Sequence, residues 1–484
     1  MNNSLKIQGY IHYLIALIIG VTLAFAVQPT KGLTQEGVMV VSIIVPTLYL
    51  WLTTNTHWTS LLFLGLLVMT QAMSPNDVWR GSIGHFAVTT LIVFMLLNQC
   101  LKDNGVIDKI ASWFITRKFV YGRPYAFLAM FFASKLFVGM FMENLSLAII
   151  YIGIAAALCE KIGVKKGHSL YTCIMLGILW GNCIVTISSP IAKALPNILM
   201  GAVQTQLGIN ITYAQWFAVG VPFAIVMFGV LMLCVRIFKP DATPLKTFDL
   251  DEFRRNDPPL NTSGKIAAIV MVLVVLAIIL PEIFVAIGLF TGIGKYLTGI
   301  GVVVPAILAV TLLCLIRIDG KAVMDLPQAS KGVPLPVLIF TGTVCLMSVP
   351  ISAESTGISP WLGNILQPLI SGMSPFAVVV ALIVAALIMT NFMSNAVSMI
   401  LFFNIGVALL AAGDMNLTAF AVVIALSAAM ATCTPSASIP SPLFFTPGHL
   451  TMRNSIKCNI IFVLLSFLVL VAFVIPYVSA VFRT

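Results

Sequence analysis

Across 484 residues, 60 % of the side chains are hydrophobic and only 9 % are charged, with a mean hydropathy of +1.07. That balance excludes an ordinary water-soluble globule and leaves few residues for a soluble domain. Lys and Arg (26) outnumber Asp and Glu (16), but in so apolar a chain the surplus points to basic loops on one side of a bilayer and not to nucleic acid as a partner.

A helix needs about 20 mainly apolar residues to cross the hydrocarbon. Such stretches centre near residues 18, 44, 66, 94, 178, 225, 276, 306 and 343, with two more near 430 and 469, which predicts eleven crossings. Ala24-Phe25-Ala26 imitates a signal-peptidase site, yet the run before it is long enough to serve as the first span. Two further stretches, 125–158 and 375–411, can enter the membrane and turn back, with Asn, Ser or Glu near the middle of each, and read as re-entrant hairpins. The expected fold is therefore an all-α polytopic membrane protein. Its parts are scaffold helices (1–123), a first hairpin and broken helix (124–238), a cytoplasmic linker (239–264), second-half scaffold helices (265–374), and a second hairpin, broken helix and last helix (375–484).

With the N-terminus inside, Lys102, Lys109, Arg117, Lys118 and Arg123 share one cytoplasmic loop, and Lys161, Lys165 and Lys166 the next. Arg236, Lys239, Lys246, Arg254, Arg255, Lys265, Arg317, Lys321, Lys331, Arg453 and Lys457 also fall inside, leaving only Lys31, Arg80, Lys295 and Arg483 outside. Basic loops stay cytoplasmic, so this orientation in the cell's inner membrane is the expected one.

The nine cysteines form no C-x-x-C pair and read as small buried residues. His12, His57, His85, His168 and His449 are dispersed, which speaks against a metal centre. A membrane-embedded enzyme finds no support either: there is no H-E-x-x-H, no G-x-S-x-G and no intramembrane Asp pair, and no G-x-x-x-x-G-K-[ST] loop for ATP.

The strongest signal is a repeat. FMENLSLAII (141–150) finds a counterpart in FMSNAVSMIL (392–401), with Phe, Met, Asn and an Ile in register. Each is followed by a proline-flanked polar break inside an apolar segment, TISSPIAKALPN (186–197) and TCTPSASIPSP (432–442). Unwound backbone in hydrocarbon is tolerated only where it lines an enclosed or wet cavity. Interrupted helices at matching places in two halves point to a transporter site near the midplane, where half-helix N-termini offer N–H groups to an anion and free carbonyls hold a cation. The plainer reading is that the prolines merely kink ordinary helices.

At these residues the chain resembles the divalent-anion:sodium symporter family, which moves dicarboxylates, tricarboxylates and, in some members, sulfate. The family's Ser-Asn-Thr hairpin motifs read here Glu143-Asn144-Leu145 and Ser394-Asn395-Ala396, and its broken-helix elements read Ala194-Leu195-Pro196-Asn197 and Ser438-Ile439-Pro440-Ser441. The resemblance implies an inverted-repeat secondary transporter and a homodimer joined through its scaffold helices. It also implies a substrate site at Asn144, Lys193, Ala194, Pro196, Ser394, Asn395, Ser438 and Pro440. Leu145 and Ala396 replace the two motif threonines, so two hydroxyl donors are missing.

For sodium, the resemblance implies a second-half site at Thr390, Asn395 and Ala437. The first half departs from it: Gly139 replaces the hydroxyl, Glu143 the motif serine, and Lys193 a glycine. Glu143 and Lys193 are therefore expected to form a buried ion pair replacing one sodium and taking part in coupling. A lone charge at a helix centre costs about 2.5–3.5 kcal/mol on insertion scales, so each needs a partner. Glu143 pairing with Lys135, or either lysine snorkelling to an interface, stays open. Coupling by exchange or protons is expected, with Na+ or H+ as the ion. A cation/proton antiporter of a related inverted-repeat fold is the alternative.

Overall fold

The computed structural model describes residues 3–30, 32–54, 57–246, 259–370, 372–411, 413, 415–435, 437–438, 440–445 and 448–482. Lys31, Arg254, Arg255, Ile439, Arg483 and residues 247–258 of the 239–264 linker lie outside the described residues.

Among the described residues, apart from one ribbon, Arg317–Ile318 paired antiparallel with Lys321–Ala322, the regular structure is helical. The first half runs α1 (Asn3–Ala26), α2 (Gln35–Thr53), α3 (His57–Met69), α4 (Pro75–Gly81), α5 (Phe86–Asp103), α6 (Val106–Ile115), α7 (Pro124–Gly139), α8 (Asn144–Lys161), α9 (Ser169–Ser188), α10 (Ala194–Leu207) and α11 (Tyr213–Phe238). The second half begins with α12 (Thr262–Ala286), α13 (Thr291–Gly299), α14 (Val303–Leu315), α15 (Leu326–Ser330), α16 (Leu335–Ser352) and α17 (Ile358–Ile370). It continues with α18 (Pro375–Met389), α19 (Asn395–Leu410), α20 (Leu417–Ala428), α21 (Pro442–Phe445) and α22 (Met452–Val481).

Among the described residues, seven helices are long and apolar enough to cross a bilayer alone, or eight if α13 and α14, bent by 76°, count as one. The other apolar helices are shorter, at 10–17 residues. This is a polytopic all-α protein. Ten of the eleven segment centres read from the sequence fall inside helices; residue 430 falls just past the end of α20, where the backbone leaves the helix.

Both halves contain a helix–turn–helix hairpin, α7–α8 and α18–α19, packed on the helix that follows it, α9 or α20. Each hairpin is also preceded by an amphipathic helix, α6 or α17, a second repeated feature that the motif comparison did not reveal. Burial separates the roles of the long helices. The most apolar window of α9 is 89 % buried, whereas that of α12 is only 28 % buried. α9 is thus an interior spine, and α12 turns its apolar residues outward.

The breaks follow from local chemistry. Ser189 precedes Pro190 and is extended (φ −143°, ψ 142°), as a residue before proline prefers, so α9 stops there. Ala192 then takes a left-handed φ of 53°, a strained conformation for a residue with a Cβ, and α10 starts at Ala194. The carbonyls freed at this point are met by neighbours. Trp216 Nε1 donates to Ile187 O at 2.8 Å, and Asn197 Nδ2 donates to Pro190 O at 2.7 Å and to Lys193 O at 2.6 Å. Tyr213 fixes Asn197 by donating to its Oδ1 at 2.8 Å. α11 can approach so closely because residue 220 is glycine: a Cβ there would lie 2.2 Å from Ser188 O.

Candidate substrate site

The first half-site is the tip of the α7–α8 hairpin meeting the α9–α10 break. Glu143 is the N-cap of α8. Its carboxylate accepts from Leu145 N at 2.9 Å and from Ser146 N at 3.0 Å, satisfying amides that a helix start leaves free. Lys193 arrives from the break, 2 % exposed, and its Nζ donates to Met142 O at 2.5 Å and to Asn144 Oδ1. Asn144 Nδ2 in turn donates to Thr186 Oγ1 at 2.6 Å, and Thr186 Oγ1 to Asn182 O at 2.6 Å.

This geometry corrects the direct contact expected between Glu143 and Lys193, although the carboxylate's charge still acts on the ammonium. The two residues share the hairpin tip, but the ammonium is satisfied by two neutral oxygens on either side of Glu143 and the carboxylate by backbone amides. A helix start two and three residues away is a nearer partner for the acid than a side chain from another element. Pairing of Glu143 with Lys135 is likewise corrected: Lys135 Nζ donates to Asn182 Oδ1 at 2.6 Å. Neither lysine snorkels, since both are buried.

At Gly139, the position of the missing hydroxyl, a Cβ would lie 2.6 Å from Val185 Cγ1 and 2.9 Å from Leu147 Cδ2. Apolar side chains fill the place where a cation-binding hydroxyl would stand.

The second half-site differs. Thr390 Oγ1 lies 2.5 Å from Ala428 O and 3.2 Å from Asn395 Oδ1, so three oxygens meet with a single hydroxyl hydrogen among them. Such a set suits a hard cation, which takes oxygen ligands. Asn391 holds the α20 break against the hairpin: its Oδ1 accepts from Thr432 N at 2.9 Å and Cys433 N at 2.8 Å, and its backbone oxygen accepts from Thr434 Oγ1.

The other sequence-predicted residues lie at these same two junctions. Ala194 and Pro196 form the first turn of α10, and Asn395 opens α19. Ser394 is half-buried with no capping bond from its hydroxyl. Ser438 Oγ lies 2.7 Å from Ser441 Oγ, while Ala437 and Pro440 are buried in the turns of the break.

The sequence reading missed the residues that tie the two junctions together. From α9, Cys183 Sγ donates to Ala431 O at 3.3 Å and Trp180 Nε1 to Asn459 Oδ1 at 2.9 Å, while Asn459 Nδ2 donates to Thr432 O at 2.7 Å. Trp180 also stacks on Phe462, ring centres 5.2 Å apart and nearly parallel at 6°. The spine therefore touches the first hairpin through Asn182 and Thr186 and the second break through Trp180 and Cys183. Polar residues four apart inside the apolar run 170–188, Asn182 and Thr186, were the available signal. Beside the first tip, Glu143 and Ser146 border a crevice with Asn98, Gln99 and Lys102 of α5 and Gly332.

A family model described as citrate transporter matches residues 39–429, the stretch that carries both hairpins and the first break. The chain belongs to the citrate transporter family. Its similarity to a sodium-dependent dicarboxylate transporter of Staphylococcus saprophyticus is 24 % identity over 486 positions, covering 97 % of this chain and 91 % of the relative. A protein of the same name from Staphylococcus aureus is 23 % identical, covering 88 % of this chain and 82 % of the relative. An uncharacterized transporter of Haemophilus influenzae is also 23 % identical, with coverage of 84 % and 85 %. These matches agree with the resemblance to the divalent-anion:sodium symporters and make this citrate-family chain a membrane transporter, not an enzyme.

Proposed function

We propose that this citrate-family chain is a secondary transporter of small organic di- or tricarboxylate anions, working by alternating access around a site between the two hairpin–break junctions. The observation that carries the reading is Lys193, a buried ammonium held at the first hairpin tip by Met142 O and Asn144 Oδ1, the kind of oxygens that would otherwise hold a mobile cation. A fixed cation there cannot leave with the substrate, so the first half is not coupled to sodium. Asn144, Ser394, Asn395 and Ser438, with the N-termini of the broken segments, supply donors to the carboxylates. Ser394 fits this role because its hydroxyl makes no capping bond.

Thr390 Oγ1, Asn395 Oδ1 and Ala428 O, beside Ala437, would hold one co-transported sodium ion in the second half. Exchange of one carboxylate for another is the favoured coupling, with proton transfer at Glu143 as the second mode. In this reading the chain makes eleven crossings and two re-entrant hairpins. It sits in the inner membrane with its N-terminus cytoplasmic, and it works as a homodimer joined through scaffold helices. The crevice beside Glu143 gives the site access from the side where Lys102 lies.

The test is uptake of labelled succinate and citrate into proteoliposomes, with and without sodium and with and without unlabelled carboxylate inside. Uptake stimulated by internal carboxylate supports the reading. Sodium-driven proton flux with no carboxylate transport would establish the cation/proton antiporter in its place.

A further inference from the structure

Lys135 takes no part in the account above, yet none of its surface is exposed. It lies near the end of α7, four residues before Gly139. Its stem rests on Gly181, where an added Cβ would stand 3.2 Å from Lys135 Cδ, so α9 has no side chain at the point where the lysine passes. The ammonium donates to Asn182 Oδ1 at 2.6 Å. No carboxylate among the described residues pairs with it.

The repeat register sharpens the contrast between the halves. Aligning FMENLSLAII with FMSNAVSMIL places Lys135 opposite Ala386 and Gly139 opposite Thr390. Along one hairpin arm, the first half has lost the hydroxyl that the second half keeps and has gained an ammonium one turn earlier. Asn182 then continues toward Lys193: its carbonyl accepts from Thr186 Oγ1, which accepts from Asn144 Nδ2, while Asn144 Oδ1 accepts from Lys193. An ionisable residue inside a membrane, without a counter-ion and with its shape matched by a glycine, is not explained by packing, which a methionine would serve as well. Lys193 and Glu143 alone would give an anion no net attraction. With Lys135 included, the first half-site sets two basic side chains against one acid.

We propose that Lys135 is a positioning and specificity-determining residue of the carboxylate site, a second fixed cation joined to Lys193 through Asn182, Thr186 and Asn144, whose charge is matched to the substrate anion. This rests on the carboxylate-transport reading. It makes proton uptake by Glu143 unnecessary for anion binding.

The test uses the full-length protein in proteoliposomes at fixed pH. Lys135→Met should raise KM for succinate and citrate by about tenfold or more, and by more for citrate, because a longer-range charge acts more strongly on the more highly charged anion. Maximal rate should stay within about threefold of the parent, the signature of lost ground-state attraction, and Lys135→Arg should restore KM. Asn182→Asp is a second variant that leaves Lys135 in place. Asn182 Nδ2 has no hydrogen-bond partner among the described residues, so the change sacrifices no bond while neutralising the ammonium, and KM should rise as it does for Lys135→Met. Melting in detergent shows whether each variant is folded. Folded variants with the parent's KM, or with reduced rate at unchanged KM, would overturn the proposal. A parent protein that takes up neither carboxylate would instead overturn the functional reading.

Discussion

Lys193 Nζ lies 2.5 Å from the carbonyl oxygen of Met142 and also donates to the side chain of Asn144, so one ammonium grips both neighbours of Glu143 without meeting its carboxylate. The arrangement fixes the hairpin tip to the α9–α10 break across some fifty residues of chain and holds a positive charge at the first half-site. Lys193→Gly removes both. Transport should fall by about a hundredfold or acquire a sodium requirement, since a charged hydrogen bond is worth about 1.5–3 kcal/mol. Initial rates with and without sodium decide, and full sodium-free activity would remove Lys193 from the mechanism.

Glu143→Gln keeps an acceptor oxygen for the start of α8 but removes the negative charge. Apparent affinity for succinate should tighten several-fold, on the order of 1 kcal/mol, because the anion no longer meets a like charge. An apparent affinity equal to the parent's would remove the Glu143 charge from substrate binding.

Thr390→Val preserves shape and deletes the oxygen between Ala428 O and Asn395 Oδ1. Any sodium stimulation of uptake should vanish while exchange persists. Sodium stimulation equal to the parent's would place the ion elsewhere.

Gly139→Thr should not rebuild a first-half cation site, because its Cβ would be driven against Val185 and Leu147. Overpacking of this kind destabilises by about 1–3 kcal/mol, seen as a lower melting temperature in detergent. Adding Val185→Ala should recover part of the loss, and a Gly139→Thr protein as stable as the parent would show that the tip has room.

Asn459→Leu should cost about 1–3 kcal/mol for each group it strands, Trp180 Nε1 and Thr432 O. Because these groups tie α9 to the second break, transport should fall along with stability. A drop in melting temperature with an unchanged rate would confine the bridge to a structural role.

Much of this molecule was legible in one dimension. Hydropathy alone sets an all-α membrane protein, because hydrocarbon tolerates only backbone that bonds to itself. Pro190 ends α9 by a steric rule confined to adjacent residues, so the first break could be placed from the letters, and the pairing of FMENLSLAII with FMSNAVSMIL located both hairpin turns. Which side chains meet at those places depended on distances that no sequence interval contains. Glu143 and Lys193 were matched by charge, but the acid turned to amides two and three residues along its own helix. Lys135 found Asn182, 47 residues away, and Trp180 found Asn459 across 279 residues. Propensity and hydropathy act locally and therefore survive in the order of residues, whereas the partner of a buried polar group is fixed only when packing brings donor and acceptor to within about 3 Å with nothing better in reach.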